Sequence, residues 1–343
     1  MAKIFGRSLT RSQILSYIGD ISQIAGVKLG EWADGNERGL RIAEVRSGSG
    51  LRFTVLLDRA MDIGPADYRG VSLGWISHVG FADPSYYEAE GLGWLYGFGG
   101  GLLTGCGMTY LGAPNLDNGE SLGQHGRLSF IPAQKIHTGE EWQGDECTIF
   151  IEGEVRQARV HGEYLSLKRR ISTLLGSNTI RVEDSVDNLA SKPSPLMMLY
   201  HVNVGYPMLN ENSFLVSKTH NVISRDAAAE VGISNWDHFQ TPTPAYDEQV
   251  FYHDIPADAD GWATIDLISP DIGHKLTLRY QKDALYNLVQ WKMMGSGTYV
   301  LGLEPANCHV DGRNKERARG TLQTILPGEQ RRFAIEITVV ETQ

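Results

Sequence analysis

The sequence predicts an all-β protein: a large single-domain antiparallel β-sandwich, or a barrel, with a short N-terminal helix. Three observations carry this. Over residues 146–188 the chain repeats strand-length runs, 148–154, 164–174 and 178–186, with turn signals at His161-Gly162 and Gly176-Ser177. In the last of these runs Ile180, Val182 and Val186 share one face while Arg181 and Glu183 take the other, the period-2 pattern of a strand. Near the C-terminus Phe333, Ile335, Ile337 and Val339 alternate with Arg332, Ala334, Glu336 and Thr338, which reads as a half-buried strand. Nowhere do strands alternate with helical segments, so a doubly wound α/β sheet is not expected.

Composition bounds the rest. The chain has 343 residues, 41% hydrophobic and 21% charged, which is globular and long enough for a substantial core. Its net charge of -10 argues against a nucleic-acid partner or an anionic membrane surface, both of which need a basic face. A small anionic substrate stays open, because a local pair of arginines can override net charge. Three cysteines, Cys106, Cys147 and Cys308, form no CxxC pair, so a reducing compartment is expected rather than a disulfide framework. Residues 1–20 contain no apolar run of signal-peptide type, and no later run is long enough to span a bilayer. The expectation is a cytoplasmic protein. No linker or composition break appears, so one domain is expected over 1–343, with 1–38 as a helical cover and 39–343 as the sandwich.

Taken in order, Thr10-Arg11-Ser12-Gln13 fits a capping box, and Ile14, Leu15, Tyr17 and Ile18 follow at helical spacing up to Gly19. Leu40, Ile42 and Val45, then Ser47-Gly48-Ser49-Gly50, then Phe53, Val55 and Leu57 read as a hairpin. The second arm ends in Asp58-Arg59-Ala60-Met61-Asp62, where Arg59 and Asp62 are either a local ion pair or a grip on sugar hydroxyls. Residues 91–112 carry nine glycines, but no Gly-Lys-Ser/Thr follows, so close backbone packing or a shaped loop at a pocket wall is expected rather than a phosphate loop. Trp75 before it and Trp94 within it are either core residues or rings that stack on a sugar. His125, in Gly123-Gln124-His125-Gly126-Arg127, has little side-chain cover from its neighbours and suits a cavity wall; a loop histidine bonded to backbone is the rival. His201, inside the apolar run 196–205, is either a satisfied core residue or a desolvated acid catalyst. Residues 205–258 read as loop-rich, either a lid or an elaborated edge, and strands resume at 263–268, 275–280, 285–292 and 298–304. Residues 311–320, with Arg313, Lys315, Arg317 and Arg319, read as a solvated charged loop.

Val300-Leu301-Gly302-Leu303-Glu304-Pro305 reads as a buried strand stopped by proline, with Glu304 at its edge. A carboxylate there has its charged form disfavoured, which suits a general base near neutrality. Taken alone, the stretch fits a glutamate entering water at least as well.

Three segments together resemble the aldose 1-epimerase (galactose mutarotase-like) superfamily, in a divergent branch. They are Gln124-His125-Gly126-Arg127, Tyr200-His201-Val202-Asn203 and Val300 to Pro305, in that order. The resemblance spans residue 39 to the C-terminus and implies the family's large β-sandwich. It also implies that Glu304 takes the proton of the anomeric hydroxyl, that His201 protonates the ring oxygen, and that His125 holds the sugar. Arg59, Asp62, Arg127, Trp75 and Asn203 are the candidate substrate-binding residues; the family's substrate-binding aspartate has no recognisable counterpart. Such ring opening needs neither metal nor nucleotide, so no cofactor is implied. The expected partner is a small-molecule sugar, and a homodimer is one expected assembly. Two rivals stand beside this reading. One is a metal-dependent sugar isomerase or lyase, since two histidines and a glutamate are also metal ligands, although no HxH or HExxH spacing supports it. The other is a non-catalytic carbohydrate-binding sandwich.

Overall fold

Alternating side chains give each strand one face to bury, and the simplest burial is sheet against sheet. The computed structural model, which describes residues 1–342, does this on a large scale. An 11-stranded sheet and an 8-stranded sheet, both antiparallel, stack across a common core. The smaller sheet contains the expected meander, Glu146–Ala158, Tyr164–Leu174 and Thr179–Asn188, and continues into the C-terminal strand Gln330–Glu341. Ile180 and Val182 face Ile337 and Ile335 across that junction, so the apolar stripes read from the sequence meet. The hairpin Arg41–Arg46 and Leu51–Leu56 lies toward one edge of the larger sheet.

Two expectations near the N-terminus meet different outcomes. The helix Arg11–Tyr17 forms, and both bonds of its capping box are present. The sandwich, however, begins before residue 39: Gly26–Glu31 is the outermost strand of the larger sheet, paired with Arg41–Arg46. Most of its residues are exposed, as an edge strand allows, and this removes the apolar signal by which a strand is recognised.

The larger sheet positions the site. Its strand Met197–Val204 is buried along its whole length because both its faces are covered. Met198, Tyr200 and Val202 enter the core between the sheets. Met197 and Leu199 point the other way, into a second cluster with Trp94, Phe98, Val250 and Val310, which come from loops and strands folded over the outer face. His201 shares that outer face.

The inner core also holds charge. Arg169 donates to Asp184 through Nε at 2.9 Å and Nη2 at 2.7 Å, and the Tyr200 hydroxyl donates to Asp184 at 2.6 Å. Asp62 belongs to this cluster: it accepts the Gly105 N–H at 2.7 Å and lies 3.7 Å from Arg169. Burial raises its carboxyl to about 6 against the pull of the two guanidinium groups of Arg169 and Arg59.

Candidate active site

Pro305 does not end its strand. Thr298–Ala306 runs on past it, between Asn287–Gly295 and Met197–Val204. The missing N–H of proline instead coincides with a gap in the ladder toward Met197–Val204. On either side of the gap the register is the same, Leu199 opposite Ala306 and Val202 opposite Leu303, which sets His201 opposite Glu304. Directly opposed residues of antiparallel strands have Cβ atoms roughly 5 Å apart, so the two side chains must meet. His201 Nε2 and Glu304 Oε1 are 3.2 Å apart.

Gly302 makes room for them. A Cβ on Gly302 would lie 2.4 Å from Glu304 Oε1, 3.0 Å from Trp291 Cβ and 3.2 Å from His201 Cε1. An isolated glycine in a strand marks such a close approach.

His125 arrives from the other side on a strained loop. Its φ is 54°, in the left-handed region that non-glycine residues avoid. Its N–H donates to Gly112 O at 3.0 Å, and its carbonyl accepts the Gly107 N–H at 2.9 Å. Gly107 itself has a φ of 105°, and a Cβ there would sit 2.0 Å from Met197 O, so this anchor requires glycine. The rings of His125 and His201 are 6.2 Å apart, edge to face. The glycine-rich stretch thus serves as the expected shaped wall.

These groups sit at the floor of a cavity of about 760 Å³. Trp94, Phe98 and Trp291 form its aromatic side: Trp94 lies 4.8 Å from the His125 ring, and Phe98 and Trp291 lie 5.3 and 5.5 Å from the His201 ring. Trp291 is held by an N–H bond to Glu248 at 2.8 Å. Gln124 also lines the floor, while Arg225, Glu248, Asp311, Lys315 and Arg319 line the outer part.

Electrostatics at the floor are governed by desolvation. Glu304 is 2% exposed and His201 is 4% exposed. Burial holds the Glu304 carboxyl well above its ordinary value, helped by the nearby Glu248 charge and opposed by Arg225. Burial, with His125 alongside, brings His201 down to about 3. His125 falls to about 4 by burial and by the Arg225 charge. A 3.2 Å approach would suit an ion pair, yet desolvating two charges costs several kcal/mol each and the contact lacks hydrogen-bond alignment. Burial thus favours a neutral acid beside a neutral imidazole. Glu304 Oε1, Gln124 Oε1 and the Nδ1 atoms of His125 and His201 are buried without a partner, an arrangement that polar groups of a ligand would complete. Among the described residues no group of three or more His, Cys, Asp or Glu side chains is placed to hold a metal ion.

The structure brings together the three residues singled out as catalytic and separates them from the residues expected to bind substrate. Arg59 is 2% exposed, and its guanidinium donates to Ala82 O and Gly97 O at 2.8 Å and covers the Phe130 ring. It braces the loop behind the cavity. Asp62 lies in the inner charge cluster. Trp75 stands one layer back, against Phe98 and Trp291. Asn203 is fully buried and donates to His201 O at 2.9 Å and Gly101 O at 3.1 Å, so it fixes the histidine strand. Arg127 is exposed and does not line the cavity.

Conversely, the residues 205–258 read as loop contain the strand Gln249–Asp254 and supply Arg225, Glu248 and Val250. Residues read as a solvated loop form the helix Arg313–Arg319, with Arg313 and Glu316 buried. Phe98 and Trp291 were also missed. The one sequence signal for Trp291 was Gly302, its cross-strand partner, an isolated glycine two positions before Glu304.

Comparisons with known proteins bear on this geometry. No curated protein matches the chain by sequence. A Klebsiella pneumoniae protein provisionally named an aldose 1-epimerase shares 23% identity; the match covers 97% of this chain and 87% of that one at a TM-score of 0.88. A galactose mutarotase-like protein from Clostridium acetobutylicum shares 12% identity over 93% of this chain and 100% of its own, with a TM-score of 0.63. A galactose 1-epimerase from Lactobacillus acidophilus shares 12% identity over the same fractions, 93% and 100%, with a TM-score of 0.58. At these identities the likeness establishes the galactose mutarotase-like sandwich. A family model described as "Domain of unknown function (DUF4432)" matches residues 37–339, and the chain belongs to that family.

Proposed function

We propose that this protein is a sugar-acting isomerase that interconverts anomers by acid–base ring opening, as an aldose 1-epimerase does. The observation that carries the reading is the His201–Glu304 pair, opposed across two central strands at the floor of an aromatic-walled cavity. Anomer exchange needs one group to take a proton from the anomeric hydroxyl while another gives one to the ring oxygen. A single shared proton suffices, because ring opening moves it across the pair and closure moves it back. The aromatic side suits the C–H face of a pyranose, and the volume lies within the range of small-molecule sites.

With Glu304 at the anomeric oxygen and His201 at the ring oxygen, opening begins with the carboxylate and imidazolium form. It ends with the neutral pair. The resting pair is therefore the one that meets an open-chain sugar ready to close it. To meet a closed sugar its proton first moves from Glu304 to His201, 3.2 Å away, a transfer that a bound hydroxyl can relay. Sugar hydroxyls entering a dry floor would stabilise the charged form, and His125 would hold a neighbouring hydroxyl in place. Each positioned acid or base is worth on the order of 10²–10⁴-fold in rate.

The test is anomeric proton exchange measured by NMR over a panel of free sugars, with wild type and Glu304→Gln. Acceleration of one sugar that disappears in the variant is expected. No acceleration of any sugar, or a variant with wild-type turnover, overturns the reading.

A further inference from the structure

We propose that the mouth of this cavity is an anion subsite, and that its sugar carries a phosphate or carboxylate remote from the anomeric carbon. The inference rests on the sugar reading above and specifies its substrate class.

Exposure divides the cavity lining. The His201 and Glu304 side chains at the floor are 5% and 3% exposed, whereas those of Arg225, Glu248 and Arg319 are 26%, 46% and 43% exposed. The two mouth arginines are already engaged. Arg225 donates to Asp226 at 2.8 Å and to Glu248 at 3.0 Å. Arg319 donates to Asp311 at 2.5 Å and to Glu316 at 3.1 Å. Lys315 is different: among the described residues its ammonium has neither a hydrogen-bond nor an ion-pair partner, although it lines the same mouth.

Its position is built. Arg313 and Arg317, one helical turn apart, both bind Asp117, and Arg313 adds Glu120 and Thr109 O. These bonds fix one face of the helix Arg313–Arg319 to the hairpin Asn115–Asp117 and Glu120–Leu122. Two residues along a helix is more than half a turn, so Lys315 is directed away from that anchored face. Arg225 faces Asp226 and Glu248, and Arg319 faces Asp311 and Glu316, so among the described residues Lys315 is the lining cation whose charge no carboxylate matches. A neutral sugar would offer Lys315 only hydroxyls. A phosphate or carboxylate would give it a charge-assisted bond, and lysine is an ordinary point-charge ligand for such groups.

The experiment compares exchange of glucose, glucuronate and glucose 6-phosphate by wild type, Lys315→Ala and Lys315→Glu at low and high salt. Lys28→Ala, on the edge strand Gly26–Glu31, is the control. The ratio of kcat/KM for the anionic sugar over glucose should fall roughly three- to fivefold in Lys315→Ala and further in Lys315→Glu, mostly through KM, as for a partly exposed ion pair. It should shrink with salt and stay unchanged in Lys28→Ala. Preference for glucuronate or glucose 6-phosphate identifies the anion. A wild-type preference for glucose, or a ratio unmoved in both Lys315 variants, overturns the subsite while leaving the anomer reading intact. Where no sugar is accelerated, glucose 6-phosphate binding is titrated directly. Binding that weakens in Lys315→Glu then keeps the subsite and discards the anomer reading; binding indifferent to Lys315 discards the subsite.

Discussion

Glu304→Gln should destroy activity and gain stability relative to wild type as pH rises, and that pH dependence tests the resting state of the pair. In the unfolded chain this carboxyl titrates near its ordinary 4.5; in the folded chain burial holds it well above that. A raised folded value means that its contribution to stability is fully present below 4.5 and is lost as pH rises toward the folded value. Each pH unit is worth about 1.4 kcal/mol. A carboxyl that keeps its proton up to pH 7 therefore forgoes about 3 kcal/mol relative to an uncharged isostere, but only about 1 kcal/mol at pH 5. Glutamine is that isostere. Unpaired amide hydrogens would cost it about 1–3 kcal/mol, but that cost does not vary with pH. Urea unfolding of both proteins at pH 5 and pH 7 should show the advantage of the variant growing by about 2 kcal/mol between them. For a chain of 343 residues that increment is about 3 °C in Tm. The same variant should lose on the order of 10²–10⁴ in turnover. An advantage equal at the two pH values would refute the reasoning. It would mean that Glu304 is already ionised at pH 7 beside a charged His201.

Three other outcomes follow from the same geometry. Gly302→Ala puts a methyl 2.4 Å from Glu304 Oε1; the carboxylate end can swing aside, so circular dichroism should be unchanged while turnover falls about 100-fold. With His201 lowered to about 3 and Glu304 raised, the one-proton pair persists through mild acid, so kcat/KM should change less than about twofold from pH 7 to pH 5. A histidine of ordinary pKa would lose roughly thirtyfold over that interval, and a midpoint near 6.5 would contradict the burial argument. Arg169→Leu strips Asp184 of two donated bonds in the core and should cost about 3–5 kcal/mol in urea unfolding, because it leaves a buried charge with only the Tyr200 hydroxyl.

The sandwich was legible because burial on one face writes a period of two into the sequence. The meander and Gln330–Glu341 carry that period, and the structure pairs them as the pattern implies. Where burial is absent or complete, the period vanishes. Gly26–Glu31 is an exposed edge, so it left no apolar stripe. Arg313–Arg319 left none either, because ion pairs to Asp117 and Glu120 hold the helix in place of an apolar stripe. A segment held by charge looks, residue by residue, like a segment dissolved in water.

The same asymmetry explains the site. His201 and Glu304 could be found because an ionisable group inside an apolar strand is costly unless something uses it. Arg59, in the turn after Leu51–Leu56, and Asp62, just beyond it, are buried as deeply, yet their charge is absorbed by backbone carbonyls, the Gly105 N–H and Arg169. Cost of burial alone thus selects both the pair proposed as catalytic and charges that are structural. What separates them is the remaining valence. Arg59 donates to two carbonyls, whereas Glu304 Oε1 and the Nδ1 atoms of both histidines have no partner, and they share one cavity. Asp62 Oδ2 is also unpaired, but it lies away from the cavity lining. Unspent hydrogen-bonding capacity facing a common space is a property of register and of covering loops, and it exists only once Leu199 is set opposite Ala306 and Val202 opposite Leu303. One residue of slip between those strands would move Glu304 out of opposition to His201 and turn one of the two toward the inner core. The chemistry proposed for this chain therefore depends on the registry of two strands as much as on the identity of two side chains.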